Sequence, residues 1–364
     1  MINNKKIKLR TISLVCLIIA SLFMSACGRS GKLAYSEKAR EWIAACHKSG
    51  GISSDESVTS ASFFRAGDTN GDWMIIAEAR AGLGDNIDKR TYLKNLEKYV
   101  SDAYKEEKKL DAYMATEWHR ICLALLALGE NPRSFGVDSE GKPIDLVGDG
   151  IFHWGKETEL DYQGSNALIY ALLVINAGDY ESPADARYTT DSIISKLLMY
   201  QMDDGSFGLN MSGGNTDITA MAIQALAPFV DRDKEYQNLS GKKIKVKRAV
   251  DSAIDFLSKN QQDGGYFYFQ NHCSSDTVSQ VILALCSVGI DPTKDERFIK
   301  NGGTLVDALI SFEIKAGGID TILEADGGGE KTNILATRQG ICALTALSLL
   351  EKGNGKFFDF NNKL

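Results

Sequence analysis

Acidic residues recur at one place in this sequence, the opening of runs that are otherwise almost wholly apolar. Asp217 lies at the start of NTDITAMAIQALAPF (215–229), Asp276 of SDTVSQVILALCSVG (275–289) and Glu117 of TEWHRICLALLALG (116–129). A carboxylate at the edge of an apolar environment has three uses. It can accept the free N–H groups of a helix's first turn, grip a polar ligand, or keep its proton and act as a general acid. Read as helices, the runs carry the polar pattern further. At i, i+4 and i+7 one face reads Asp217, Met221 and Gln224, and the next run gives Asp276, Gln280 and Leu283. Polar residues continuing down an apolar helix suit a cavity wall better than a packed core. Asn166 and Arg338 stand at the start of SNALIYALLVINAG (165–178) and TRQGICALTALSLLEKG (337–353). The expected ligand-binding set is Asp217, Asp276, Glu117, Asn166, Arg338, Gln224 and Gln280, with Asp217 the candidate catalytic acid. Glu117, Asp217, Asp276 and His119 are the groups from which an acid/base pair would be drawn. Trp118 or Trp154, with Tyr162, Tyr170, Tyr266 and Tyr268, would offer flat apolar contact. Asp217 itself is expected both to cap its helix and to face the cavity, its bonds to backbone N–H groups lowering its pKa.

The elements that must position these residues are helices. With DWMIIAEARAGL (72–83) there are six nearly all-apolar runs, spaced by roughly 50 residues, a period that signals a repeat architecture. A helix apolar on every side is a buried one. Between them lie segments with one charged face: 36–48, 91–107, 189–201, 246–261 and 304–314, with a short sixth over 142–152. Turns of one kind, QMDDGSFG (201–208), NQQDGGYF (260–267) and EIKAGGID (313–320), follow three of these amphipathic helices. Their glycines supply the left-handed conformation that ends a helix. Six buried helices alternating with six amphipathic ones predict an all-α fold, an (α/α)6 toroid of inner and outer helices over residues 36–364.

The N-terminus has a different character. Lys5, Lys6, Lys8 and Arg10 precede the apolar ISLVCLIIASLFM (12–24), as in a secretory signal, and MSACG follows. That ending resembles the bacterial lipobox, which implies a signal peptide over 1–26, lipidation of Cys27 and a tether over 27–35. A lipid would then be the membrane attachment. Losing four basic residues and no acid takes the net charge from −7 to −11, which argues against nucleic acid as a partner. Of the seven cysteines, Cys16 would leave with the signal and Cys27 would be lipidated. The remaining five have no metal-ligand spacing, so no metal is expected.

FLSKNQQDGGYF (256–267) resembles the repeat motif of squalene cyclases and prenyltransferases, with Phe in the usual Trp region. GDWMIIAEARAGL and NTDITAMAIQALAPF are similar to toroid segments of bacterial surface proteins related to terpene cyclases, and to the α-domain of transcobalamin-type B12 carriers. The resemblance covers residues 36–353. Against the DxDD acid motif of class II terpene cyclases, Asp217 falls on the central acid but Asn215 and Ile218 replace its flanking carboxylates. Neither the zinc-gripping Asp-x-Cys pair of protein prenyltransferases nor the Cys-Gly-Glu-Gln thioester of complement-like toroids occurs. The B12-carrier resemblance rests on DITAMA, whose Asp contacts the corrinoid in those proteins. It implies a cobalamin-like ligand, although only NGKFFDFNNKL follows Gly353 where carriers have a β-domain. The reading is therefore a surface-anchored, extracytoplasmic lipoprotein. Its toroid holds a small-molecule or glycan ligand without chemistry and with no required cofactor. The alternative is an extracytoplasmic enzyme, terpene-cyclase-like or a glycan lyase or hydrolase, using Asp217 as acid.

Overall fold

The computed structural model describes residues 34–52, 57, 59, 63–107, 109–155, 157–238 and 240–360. The expected signal segment and Cys27 lie outside these residues, as does most of the tether.

The chain alternates outer and inner helices from its first described turn. Outer α1 (Tyr35–Ser49) leads to inner α2 (Thr69–Arg80), and outer α3 (Lys89–Glu106) to inner α4 (Thr116–Ala127). A single π-helical turn, Gly148–Phe152, stands where the short sixth outer helix is expected, before inner α5 (Ser165–Ala177). Then come outer α6 (Thr190–Leu198), inner α7 (Thr216–Leu226), outer α8 (Val246–Asn260) and inner α9 (Ser275–Ser287). Outer α10 (Leu305–Ser311) and inner α11 (Ile334–Lys352) complete the series. Among the described residues the strands form only two small antiparallel hairpins. One pairs β1 (Glu235–Gln237) with β2 (Lys243–Lys245), the other β3 (Tyr268–Phe269) with β4 (His272–Cys273).

Each inner helix packs on the next, α2 on α4, α4 on α5, α5 on α7, α7 on α9 and α9 on α11, and α11 returns to α2. The ring is closed. Outer helices bury only a stripe: α8 buries Val246, Ala249, Val250, Ala253, Ile254 and Leu257 while Lys247, Arg248, Asp255 and Lys259 stay exposed. Inner α2 and α11 begin three residues before their expected starts, because the caps are Asp68 and Asn333. Their side chains accept from Asn70 N and Ala336 N.

The recurring turns have a mechanical use. Phe207, Phe267 and Ile319 each fold back into the core, fully or almost fully buried. Six residues before each stands a polar side chain that reaches another outer segment. Gln201 Nε2 donates to Ala249 O in α8 at 2.8 Å, and Gln261 Nε2 donates to Phe298 O ahead of α10 at 3.0 Å. Glu313 accepts from Trp42 Nε1 in α1 at 3.2 Å, so the last latch ties the end of the outer ring to its beginning. Gly265 holds its turn at φ +94°, and a Cβ there would meet the Thr304 carbonyl oxygen at 2.1 Å.

Candidate functional site

All six inner helices run in the same sense, so their N-terminal ends surround one mouth of the ring. Below it lies a cavity of about 250 Å³. Its wall follows the helical spacing expected from sequence: Met221 and Gln224 from α7, Gln280 and Leu283 from α9, and Tyr170 and Leu173 from α5. Helix α2 adds Thr69 and Trp73, and α11 adds Leu335, Arg338, Gln339 and Cys342. Phe357 and Phe358, from the segment after α11, reach the cavity at the level of Leu173 and Leu283. Trp73 and Tyr170 form an aromatic pair with centroids 5.6 Å apart. The glutamines are linked: Gln224 Nε2 donates to Gln280 Oε1 and Gln280 Nε2 to Gln339 Oε1, each at 3.0 Å. These bonds satisfy amides that would otherwise be costly to bury.

One helical turn nearer the mouth, on the same faces, stand Asn166, Asp217 and Asp276. Each has a side-chain Oδ1 buried without a hydrogen-bond partner. This corrects the expectation for Asp217. The cap of α7 is Asn215, whose side chain accepts from Ile218 N, and the cap of α9 is Ser274, accepting from Thr277 N. A residue inside the first turn has its side chain swung away from the free N–H groups that the preceding residue can reach. Freed from capping, the Asp217 carboxyl is dominated by burial, which pushes its pKa up; the Thr277 hydroxyl beside it pulls the other way without forming a full hydrogen bond. The expected depression is reversed. Burial also raises Asp276, to about 6, with the negative charge of Asp217 adding to the rise and Thr321 and Arg338 opposing it. The two acids share no hydrogen bond, but the charge of Asp217 acts on Asp276.

Glu117 and His119 do not join them. Glu117 holds Arg120 in a fork, accepting from Nη1 at 2.6 Å and Nη2 at 2.7 Å, while Arg120 Nε donates to Asp72 at 2.9 Å. Asp72 also accepts from Tyr92 Oη and Gly67 N, both at 2.8 Å, so this network binds α2, α3 and α4 together. His119 is fully buried against Gly150 O at 2.9 Å, and burial lowers its pKa to about 4, which keeps it neutral. Trp118 and Trp154 pack edge to face, 5.2 Å apart, in the core rather than on the cavity wall.

Sequence reasoning missed Trp73, Gln339, Cys342, Phe357 and Phe358 as lining residues. Trp73 and Gln339 were legible, since each interrupts an inner run on the cavity face; nothing periodic marks the two phenylalanines. It also missed that every inner helix begins beside an exposed apolar side chain. These are Phe63, Tyr113 with Met114, Tyr162, Leu209 with Met211, Tyr268 with Phe269, and Leu335. Tyr113 and Tyr162 pair with centroids 5.6 Å apart.

No family model matches the chain, and no curated protein matches it in sequence. Solved structures match it in fold. An unsaturated glucuronyl hydrolase from Bacillus sp. GL1, responsible for the degradation of glycosaminoglycan, is similar with a TM-score of 0.55 and 13% identity over 90% of this chain and 98% of that one. A mutant unsaturated glucuronyl hydrolase from Streptococcus agalactiae gives 0.52 and 11% over 86% and 90%. The Candida albicans protein geranylgeranyltransferase-I gives 0.50 and 10% over 85% and 91%. At these identities the likeness establishes the α/α toroid.

Proposed function

We propose that the protein is a glycan-active hydrolase that seats a sugar ring in the central cavity and cleaves its bond at the mouth. The observation that carries this reading is a pair of non-capping acids on adjacent inner helices, Asp217 and Asp276, each with Oδ1 buried without a hydrogen-bond partner, with burial pushing Asp276 up to about 6. In this reading Asp276 protonates the departing oxygen, and Asp217, in its carboxylate form, would steady positive charge on the ring or activate water. The cavity volume favours one sugar ring over a corrinoid. Exposed aromatic faces such as Tyr113 and Tyr162 at the mouth suit the apolar faces of further sugars. The glucuronyl hydrolases among the structural neighbours lend support by analogy of fold. The lipobox-like MSACG supports an extracytoplasmic protein anchored through Cys27, where glycans are met.

The test is a panel of aryl glycosides and oligosaccharides assayed for bond cleavage with the wild type and Asp276→Asn. Hydrolysis that fades above about pH 6 and disappears in the variant is the expected result. Sugars that bind without turnover, equally in both proteins, would instead support a second reading, capture without chemistry. The linked glutamines and the Trp73–Tyr170 pair already favour that reading as a binding wall.

A further inference from the structure

Three arginines on the inner ring are almost equally buried, Arg80 at 4% exposure, Arg120 at 5% and Arg338 at 6%. Their surroundings differ. Arg80 donates from Nη2 to Lys356 O at 2.9 Å. Arg120 is neutralised by Asp72 and Glu117, at 2.9 and 2.6 Å. For Arg338, no carboxylate among the described residues lies within ion-pair distance; it makes one long hydrogen bond, from Nη1 to Thr69 O at 3.4 Å. Asp276 acts on it only as a more distant charge. The neighbouring thiols of Cys46 and Cys342 supply no anion either, since burial pushes both to about 12. A guanidinium taken out of water without a counter-charge is destabilising, and proteins rarely keep one there unless something else brings the charge. Arg338 lies on the cavity wall, near the Trp73–Tyr170 pair.

We infer that Arg338 is the anion-binding subsite of the cavity and that the sugar held there carries an acidic group, a carboxylate or a sulfate. The inference rests on the glycan reading and names its substrate class. The planar fork of Arg338 would pair with two oxygens of the acidic group while the ring lies against Trp73 and Tyr170. Binding would then supply the charge that the fold omits.

The experiment uses the full chain, with binding followed by tryptophan fluorescence and by thermal unfolding. The probes are D-glucuronate, D-glucose 6-sulfate, D-glucose and D-glucuronamide, with sodium acetate and sodium sulfate as simple anions. Acidic sugars should bind at least about tenfold more tightly than neutral ones. Arg338→Gln should erase that preference, bringing the acidic sugars to the affinity of the neutral ones in the same variant. Without ligand it should also unfold at a higher temperature than the wild type, the opposite of what loss of a structural arginine does. Arg338→Lys should keep a weakened preference, and serves if the glutamine variant does not fold. Comparison of glucuronate with the sulfate ester decides between the two anions. Equal binding of acidic and neutral sugars by the wild type, or an undiminished preference in Arg338→Gln, overturns the inference. If no sugar binds but the simple anions stabilise the wild type and not Arg338→Gln, the glycan reading fails while the anion subsite stands.

Discussion

Asp217 and Asp276 stand at matching positions on adjacent inner helices, and the charge of the first helps hold the proton of the second. Neither caps its own helix. Burial therefore governs both carboxyls, and the charge of Asp217 adds to the rise at Asp276, an arrangement that costs stability and suits chemistry.

That cost has a sign that can be measured. Because the folded Asp276 carboxyl titrates at about 6, the folded protein keeps this proton where the unfolded chain has released it. The group's stabilising contribution is complete below the unfolded value of about 3.9 and is lost as pH rises through 6. Asp276→Asn should leave stability unchanged near about pH 3 and raise it by about 1–3 kcal/mol at about pH 7. Urea unfolding at the two pH values checks this, with hydrolysis lost in the same variant.

Removing the neighbouring charge should relax Asp276. In Asp217→Asn the pKa of Asp276 falls from about 6 toward the ordinary carboxyl range, while burial keeps it from reaching it. Carboxylate NMR titration reads the shift directly. An unmoved Asp276 would mean that burial alone sets its proton.

The Arg120 network predicts a different phenotype. Asp72→Asn leaves a buried guanidinium with one carboxylate fewer, and stability should drop by about 3–5 kcal/mol. Glu117→Gln should cost less, because Glu117 is partly exposed. Neither change should move the pH profile of the proposed hydrolysis, since Arg120 does not line the cavity.

Closure of the outer ring is testable through Glu313. Glu313→Ala strands the indole N–H of Trp42, a side chain only 1% exposed, and should cost about 1–3 kcal/mol. Chemical denaturation measures it.

Gly265→Ala tests the turn that follows α8. A methyl group would have to displace the Thr304 backbone from a φ that alanine avoids, so soluble expression and melting temperature should both fall. The same change at Gly289, also at positive φ but with open space around it, should be milder.

The sequence by itself determined the ring. Hydrophobic runs at a regular period declare which helices are buried, one-faced helices declare which wrap them, and the repeated glycine turns declare where each pair ends. These are local properties, set by burial on a 3.6-residue period and by backbone freedom, so they can be read without coordinates. The i, i+4, i+7 faces of α7 and α9 were legible for the same reason, and Met221, Gln224 and Gln280 do line the cavity. What only the tertiary structure decided was the charge state and partnership of the polar groups. Asp, Asn and Ser all suit a helix start, and a difference of one or two residues separates the cap, Asn215, from the buried acid, Asp217. Glu117 and Arg338 look alike as first-turn charges, yet one closes a fork on Arg120 and the other is left unneutralised. Pairing depends on which groups the closed ring brings together, such as Arg338 Nη1 and the Thr69 carbonyl oxygen on the adjoining helix, and no local pattern encodes that contact.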